Sequence, residues 1–315
     1  MLPLLLAVGC VTHHSGQAIS TLAFRFEDRR EIWDVLTHPS QRALRNAMAH
    51  PQPAWQSLYV PGIVEPDWLN GEVLDEDAWR LEIFYANRGF FDARFLGWEV
   101  IPRGHRKDFQ RVRVVGRVEE GEPSRVRSLT VQGVEALRRG LQRGIAGHFE
   151  GSDADLSVGD VFDGDAWSDA LDGIRKLLGE KSYAHAQVHG DAAVYPVEHA
   201  VDLTVAINPG PPCKFGPVTI TGLKRVKGSV VEDQVTFDEG EPYSATALAR
   251  TRARLYALRV FGVVDVVPDL SDSASPVVPV TITLTEARAR ELRAGPLFQI
   301  EPGKAILAAH AQWRD

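Results

Sequence analysis

The sequence predicts an α+β protein in which one small module is used three times. One short pattern carries this prediction: a glycine, an acidic residue, any residue and a large apolar residue, then Ala-Trp or Ala-Leu four positions later. It begins at Gly71, Gly159 and Gly240. The first two copies are 88 positions apart (159 minus 71) and the next two 81 (240 minus 159). Such spacings fit small domains in series and are too long for the turns of a solenoid.

The joints between copies repeat as well. Residues 118–123, Val-Glu-Glu-Gly-Glu-Pro, run into an apolar stretch that ends at Gly133. Residues 207–212, Ile-Asn-Pro-Gly-Pro-Pro, run into a similar stretch that ends at Gly222, 89 positions later (222 minus 133). Two independent landmarks therefore agree on the period.

The middle copy predicts the elements of the module. Apolar residues at steps of three and four predict a helix over Trp167–Leu178, and a poorer helix is expected around Val134–Ile145. Alternating residues predict strands at Val126–Val131, Tyr183–His189 and Val201–Ile207. The order is strand, helix, helix, strand, strand. Because the alternation leaves one face of the sheet dry, both helices are expected to pack on that face.

The outer copies follow the same order. In the third copy, strands are expected at Val218–Ile220, Val263–Val267 and Val278–Leu284, with a helix over Ala247–Leu258. In the first copy, a helix carrying Trp79 and Ile83 precedes strands at 91–101 and 110–118. Its front half differs, because prolines between residues 32 and 70 indicate one or two helices and a long excursion. Trp79 and Trp167 are expected to be packing residues of the helical core.

Composition excludes several classes of protein. The formal charge of -7 argues against a nucleic-acid partner, because phosphate binding needs a concentrated excess of Lys and Arg. One basic cluster is interrupted by acidic residues and predicts a solvated hairpin; it comprises Arg103, Arg106, Lys107, Arg111 and Arg113. With only Cys10 and Cys213, the chain can build neither a disulfide framework nor a four-cysteine metal site.

The first residues look like an export signal. The stretch 4–10, Leu-Leu-Leu-Ala-Val-Gly-Cys, resembles the end of a bacterial lipoprotein signal peptide, which makes Cys10 a candidate for lipidation. A truncated ordinary signal peptide is the alternative. Both imply export, and the stretch is too short to span a bilayer.

No catalytic constellation is found, and we expect neither an enzyme nor a cofactor. Asp163-Gly164-Asp165 fails as a calcium loop and is expected to cap the following helix. His185 and His189 lie too far apart on a strand to share a metal ion, so exposed histidines are favoured. Cys213, in a turn between copies, is expected to be a bystander thiol.

The tandem order, together with the motifs 89–93, 182–186 and 261–264 and the joints ending at Gly133 and Gly222, resembles POTRA domains of the BamA and TamA family of outer-membrane assembly proteins. Three units make the chain most similar to TamA-like proteins. The resemblance implies three POTRA-like modules, each a three-stranded mixed sheet with two helices on one face. The expected divisions are 1–17 (signal-like), 18–123 (with an insertion at about 37–70), 124–213, 214–293 and 294–315.

The resemblance also implies a function on the periplasmic side of the outer membrane, with unfolded outer-membrane protein clients or envelope assembly subunits as partners. A guest chain would add to an edge strand by main-chain hydrogen bonding. In the family the second strand of each module is that edge. The candidates are therefore Phe91, Ala93, Phe95, Tyr183, His185, Gln187, Val264 and Val266. The alternative is that these residues are merely solvent-facing.

Residues 294–315 resemble the start of the family's membrane barrel, because 306–313 alternate as a barrel strand does. A barrel needs many more strands, so the outer membrane would be reached through a barrel that this sequence lacks, through a lipid anchor, or through both. The alternatives are a plain tail at 294–315, and a lipid-anchored periplasmic scaffold that has no barrel.

Overall fold

The computed structural model describes residues 17–27, 39–49, 68–106, 109–151 and 154–287, and the backbone of 291–301 and 304–314. Cys10, the signal-like segment and most of the proline-rich excursion lie outside the described residues. The chain divides into two compact units. Among the described residues, the first unit contains those within 17–130, 149–170 and 191–204, and the second contains those within 131–148, 171–190 and 205–314.

The described residues form three three-stranded sheets, as the sequence predicts. In each sheet the third strand in sequence is central and the other two are edges. The order is β1-β3-β2, β4-β6-β5 and β7-β9-β8, with bounds β1 Gln17–Phe26, β2 Arg94–Arg106, β3 Phe109–Glu119, β4 Arg125–Gln132, β5 Gln187–Tyr195, β6 Ala200–Asn208, β7 Lys214–Thr221, β8 Phe261–Pro268 and β9 Val277–Glu286.

The first and third sheets are mixed. The pairs β1–β3 and β7–β9 are parallel, whereas β2–β3 and β8–β9 are antiparallel. A parallel pair needs a crossover connection, and the helices of each module supply it. The basic cluster lies on the β2–β3 hairpin, with Lys107 outside the described residues.

Within the described residues, each module contains two helices, in agreement with the predicted strand-helix-helix-strand-strand order. They are α1 Gln41–Ala47, α2 Gly71–Ala86, α3 Arg139–Ala146, α4 Gly164–Glu180, α5 Gly228–Glu232 and α6 Ala245–Ala257. The carboxylate of Asp163 accepts from the backbone N–H groups of Asp165 and Ala166 at 2.9 and 3.1 Å. Asp163 therefore caps the start of α4, as expected from the sequence.

The core of the first module lies between its helices and its sheet. On α2, Leu74, Leu81 and Tyr85 are buried at steps that place them on one side of the helix. The Tyr85 hydroxyl donates a buried hydrogen bond of 2.6 Å to the carboxylate of Glu120, at the end of the sheet. These contacts join the helix to the segment that leaves the first module.

The expected core position of Trp79 is wrong. Its side chain is 65% exposed, and Ile83, one turn later, is 46% exposed. Both residues are offset by about half a turn from the buried stripe, because position 79 is two residues before Leu81 and position 83 two residues after it. Trp167 is buried, as expected.

The third module has a core of its own on the helix-facing side of its sheet. The rings of Phe215 and Phe237 stack with centroids 3.8 Å apart, and Tyr243 packs beside them at 5.2 Å from Phe215. The inward residues of β9 and Leu255 of α6 are buried in the same cluster. The sheet is therefore dry on its helix-facing side.

The backbone of the last residues forms an antiparallel pair of strands. β10 (Glu291–Glu301) pairs with β11 (Lys304–Arg314) without a register shift. Whether this pair begins a barrel stays a prediction. Among the residues that the structure describes, no helix is long and apolar enough to cross a membrane.

Candidate binding edges and the joints between modules

The second strand of every module, β2, β5 and β8, lies at the edge of its sheet. An edge strand carries backbone N–H and C=O groups that no neighbouring strand of the sheet satisfies. The opposite edges, β1, β4 and β7, are bridged near their starts to the segment before the second helix, at Trp68, Val161 and Pro242. The residues proposed from the sequence fall on β2, β5 and β8 only in part.

On the first edge, Phe95 lies on β2, but Phe91 and Ala93 do not. The strand begins at Arg94, and Phe91 lies in the turn before it. The Phe91 ring contacts Phe162 with centroids 5.8 Å apart, so it packs against the next module instead of facing a guest. Register shifts after Phe95 and after Pro102 interrupt the β2–β3 ladder. The regular part of this edge is therefore 97–102.

On the second edge, Gln187 is the first residue of β5 and is exposed, whereas Tyr183 and His185 lie in the preceding turn. The Tyr183 N–H donates to the carbonyl of Leu178 at 3.0 Å, which closes the end of α4. The His185 ring nitrogen Nε2 is 3.2 Å from the carbonyl oxygen of Ser275 in the third module. The predicted strand thus starts too early, and two of its three residues belong to a joint.

On the third edge, Val264 and Val266 lie on β8, but both side chains are buried in the core. A guest at this edge would meet the main chain and the outward residues. Val263 and Val267 are 53% and 47% exposed, with Asp265 between them. Sequence reasoning missed these two valines, although the alternation of the strand contained the signal.

The joint between the first and second modules is made by backbone hydrogen bonds. The Ser124 N–H donates to the carbonyl of Gly89 at 2.8 Å, and the Phe162 N–H donates to the carbonyl of Ser124 at 2.9 Å. The Gly164 N–H, in the first turn of α4, donates to the carbonyl of Asn87 at 2.7 Å. The end of α2 is therefore bonded directly to the next module.

The joint between the second and third modules repeats this pattern. The Cys213 N–H donates to the carbonyl of Ser182 at 2.6 Å, and the Tyr243 N–H donates to the carbonyl of Cys213 at 3.0 Å. Ala184, in the turn after Ser182, packs against the core of the third module. Cys213 is buried, with its Sγ 3.2 Å from the carbonyl oxygen of Pro211. A packed thiol is consistent with the bystander role predicted for it.

A histidine that the sequence did not single out lies at the first joint. The ring of His199 is 3.7 Å from the carboxylate of Asp92 on one side and 3.7 Å from that of Glu122 on the other. The carbonyl of His199 accepts from the Arg125 N–H at 2.9 Å. His199 thus links the second module both to the turn after α2 and to the connecting segment.

The described residues contain no group of three His, Cys, Asp or Glu side chains close enough to hold a metal ion. Polar side chains at the first joint instead bond to one another, as the Asn87 amide does when it donates to the Asp165 carboxylate at 2.9 Å.

Comparison with known proteins defines the family of the third module. Residues 213–287 match the POTRA family model, described as a surface antigen variable number repeat. The third module is a POTRA domain. The match runs from Cys213, the residue at the second joint, to Ala287, one residue after the end of β9.

The other modules share its fold. The POTRA domains 3–5 of BamA from Haemophilus influenzae superpose with a TM-score of 0.51 at 17% identity, covering 84% of this chain and 96% of that one. At this identity the likeness shows the fold alone. The chain is therefore a tandem array of POTRA-like modules, as its repeats predict.

A curated relative extends the likeness to the sequence. The outer membrane protein assembly factor BamA of Neisseria meningitidis serogroup B is 24% identical over 199 residues, which is 61% of this chain. The match spans only 23% of that relative's length. The closer resemblance to TamA-like proteins stays a prediction.

Proposed function

We propose that this chain is the periplasmic POTRA array of an outer-membrane protein assembly or translocation factor. Its modules would receive unfolded β-barrel clients, or partner subunits, by strand addition. The observation that carries the proposal is the position of the second strand of every module, β2, β5 and β8, at a sheet edge, in a chain similar to an outer-membrane assembly factor.

Strand addition suits clients of many sequences. Main-chain hydrogen bonds supply the affinity and are the same for every extended peptide, so the edge reads conformation more than sequence. Binding of this kind needs no bound nucleotide. It is therefore compatible with the periplasm, where no ATP is available.

The outward side chains of the β8 edge add a preference for apolar residues in the guest. Val263 and Val267 are exposed and lie opposite Thr285 and Thr281, on the face away from the core. A barrel strand alternates apolar and polar residues, so one of its faces would pack on these side chains while its backbone pairs with the edge. Pro268 ends the available stretch of β8, because proline cannot donate to a ladder.

An NMR titration of the full chain tests strand addition. The probe is a synthetic peptide with the alternating sequence of an unfolded barrel strand, and the matched control is the same peptide N-methylated at consecutive residues, which removes the backbone donors from both of its edges. We expect the first peptide to shift backbone amides of β2, β5 or β8, and the control to lose the effect. Equal binding of both peptides, or no shift at any of the three edges, would overturn the proposal.

The proposal also covers the ends of the chain. We place Cys10 as a lipidation candidate at an exported N-terminus, and residues 294–315 as the start of an outer-membrane barrel. The gene beyond Asp315 tests the second point: alternating strands of about ten residues each are expected there. Mass spectrometry of the exported protein tests the first, since acylation would add fatty chains to Cys10.

A further inference from the structure

The helical side of the first module contains a groove that strand addition does not use. It has a volume of about 550 Å³ and lies between α1 and the second half of α2. Ala43 and Ala47, one turn apart on α1, form one wall, and Ile83 and Phe84 of α2 form the other. Because the alanine side chains are small, the space between the two walls has room for an apolar group. The volume of the groove lies within the range of ligand-binding clefts.

The apolar surface continues out of the groove along α2. Trp79 precedes Ile83 by one turn, and both are exposed on the side of the helix that faces away from the core. A largely exposed tryptophan is unusual for a side chain that carries so much apolar area. Trp and Arg are the residues most enriched at the energetic centres of protein interfaces, and Arg80 and Arg88 line this groove.

The charges at the groove show which guest would fit. The Arg88 guanidinium lies 4.0 Å from the centroid of the Phe84 ring. Within the described part of the chain, its ion-pair partner is the Asp165 carboxylate, and the nitrogen-to-oxygen distance of 4.0 Å is at the outer limit for an ion pair. Asp165 already accepts a hydrogen bond from the Asn87 side chain at 2.9 Å. Arg80, in contrast, is held by Glu76 and Asp77 at 3.0 Å each. Arg88 is thus the cation best placed to bind a carboxylate from outside.

We propose that this groove binds an amphipathic helix of a partner protein, with large apolar side chains one turn apart and a carboxylate beside them. The apolar side chains would fill the space between Ala47 and Ile83 and pack on Trp79, while the carboxylate would pair with Arg88. A helix suits the site because two helices form it, as in other helix-in-groove complexes. This site is separate from the three edge strands and goes beyond strand addition.

The test measures binding of three fluorescent helical peptides to the full chain by anisotropy. The first peptide carries two leucines one turn apart with flanking glutamates, the second has lysines in place of the glutamates, and the third has serines in place of the leucines. We expect the first peptide to bind at least about 30-fold more tightly than the third, because the third lacks the two leucines that would anchor it in the groove. Binding of the lysine peptide as tight as that of the glutamate peptide would overturn the charge assignment and with it the proposal.

Variants locate the site. Ile83→Asp is expected to weaken the glutamate peptide about 30-fold, and it should fold because Ile83 is half exposed. Arg88→Glu should reverse the preference, so that the lysine peptide binds more tightly. Arg252→Glu, a matched charge reversal on the exposed side of α6, should change neither affinity.

Two further results would overturn the groove as a helix site. One is unchanged affinity in both Ile83→Asp and Arg88→Glu. The other is binding of the chain to anionic lipid vesicles that depends on Trp79 and Ile83 while no peptide binds. Val263→Asp, on the β8 edge, separates this proposal from strand addition, since it should leave the helical peptide unaffected.

Discussion

The carbonyl of Gly89 accepts a hydrogen bond of 2.8 Å from the backbone N–H of Ser124, which fastens the end of α2 to the start of the next module. Gly89 adopts a left-handed φ of 82°, and Ser182, at the corresponding place in the second joint, has a φ of 77°. The same backbone geometry is therefore met by glycine at one joint and by serine at the other.

This pair predicts opposite effects of exchanging the two residues. A Cβ atom at Gly89 would lie 2.7 Å from the carbonyl oxygen of Phe162. Gly89→Ser is expected to lower the free energy of unfolding by at least about 1–2 kcal/mol, the cost of a left-handed non-glycine residue, with the clash added. Ser182→Gly relieves such strain and is expected to raise it by about 0.5–1 kcal/mol after the entropy cost of glycine. Urea unfolding of both variants checks the two signs, and an unchanged Gly89→Ser protein would contradict the close packing of the joint.

The Glu286 carboxylate predicts a pH dependence of stability. It accepts from the backbone N–H groups of Val226, Arg225 and Lys224 at 2.9, 2.7 and 2.8 Å, and these bonds with the Arg225 guanidinium lower the pKa of Glu286 to about 2. Because the folded pKa is below the ordinary value of 4.5, the contribution is complete above about pH 4.5 and is lost as the pH falls towards 2.

Glu286→Gln should therefore lower the Tm at neutral pH, and the difference from the unmodified chain should shrink on acidification. Thermal unfolding followed by circular dichroism between pH 7 and about pH 2 measures it. Glu239→Gln, at an exposed position of the same module, serves as the matched control and should leave the Tm unchanged. A Glu286→Gln protein with the same Tm as the control would show that the hydrogen bonds to the Glu286 carboxylate do not stabilise the fold.

Two tryptophans on equivalent helices predict very different costs of removal. Trp167 is buried, and its ring lies 6.0 Å from that of Phe149, so Trp167→Ala is expected to cost about 3–5 kcal/mol of unfolding free energy. Trp79→Ser should change it by no more than about 0.5 kcal/mol, because the ring is largely outside the core. Denaturant titration of both variants measures the contrast, and similar losses would place Trp79 back in the core.

The buried hydrogen bond from Tyr85 to Glu120 predicts a cost for losing one hydroxyl group. Tyr85→Phe keeps the ring in the core but removes the donor that lies 2.6 Å from the carboxylate. Loss of a hydrogen bond to a charged group is expected to lower the free energy of unfolding by about 1.5–3 kcal/mol. Tyr256→Phe, on the exposed side of α6, is the control. Equal stability of the two variants would contradict the structural importance of the bond.

Much of the fold could be predicted because the module carries strong local signals. The steps of three and four from Trp167 to Leu178 leave one interpretation for α4, and the alternation of 201–207 leaves one for β6. Because the copies repeat, the elements with weaker patterns in the first and third copies could be placed by comparison with the middle copy. The N-cap at Asp163 could also be predicted, because capping depends on residues close in sequence.

The errors arose where tertiary contacts decide. Helix α2 carries two apolar stripes, one through Leu81 and Tyr85 and one through Trp79 and Ile83, and periodicity alone does not say which faces the sheet. Residues 183–186 alternate as a strand does, but packing against the third module turns them into part of a joint. The groove beside α1 could not be predicted, since it depends on how two helices pack.

An isotope-filtered NOE spectrum of the full chain with the bound barrel-strand peptide tests strand addition most directly. We expect contacts between backbone protons of the peptide and backbone protons of β2, β5 or β8, in the alternating pattern of paired strands. Contacts confined to the helices, with none to the backbone of an edge strand, would contradict strand addition.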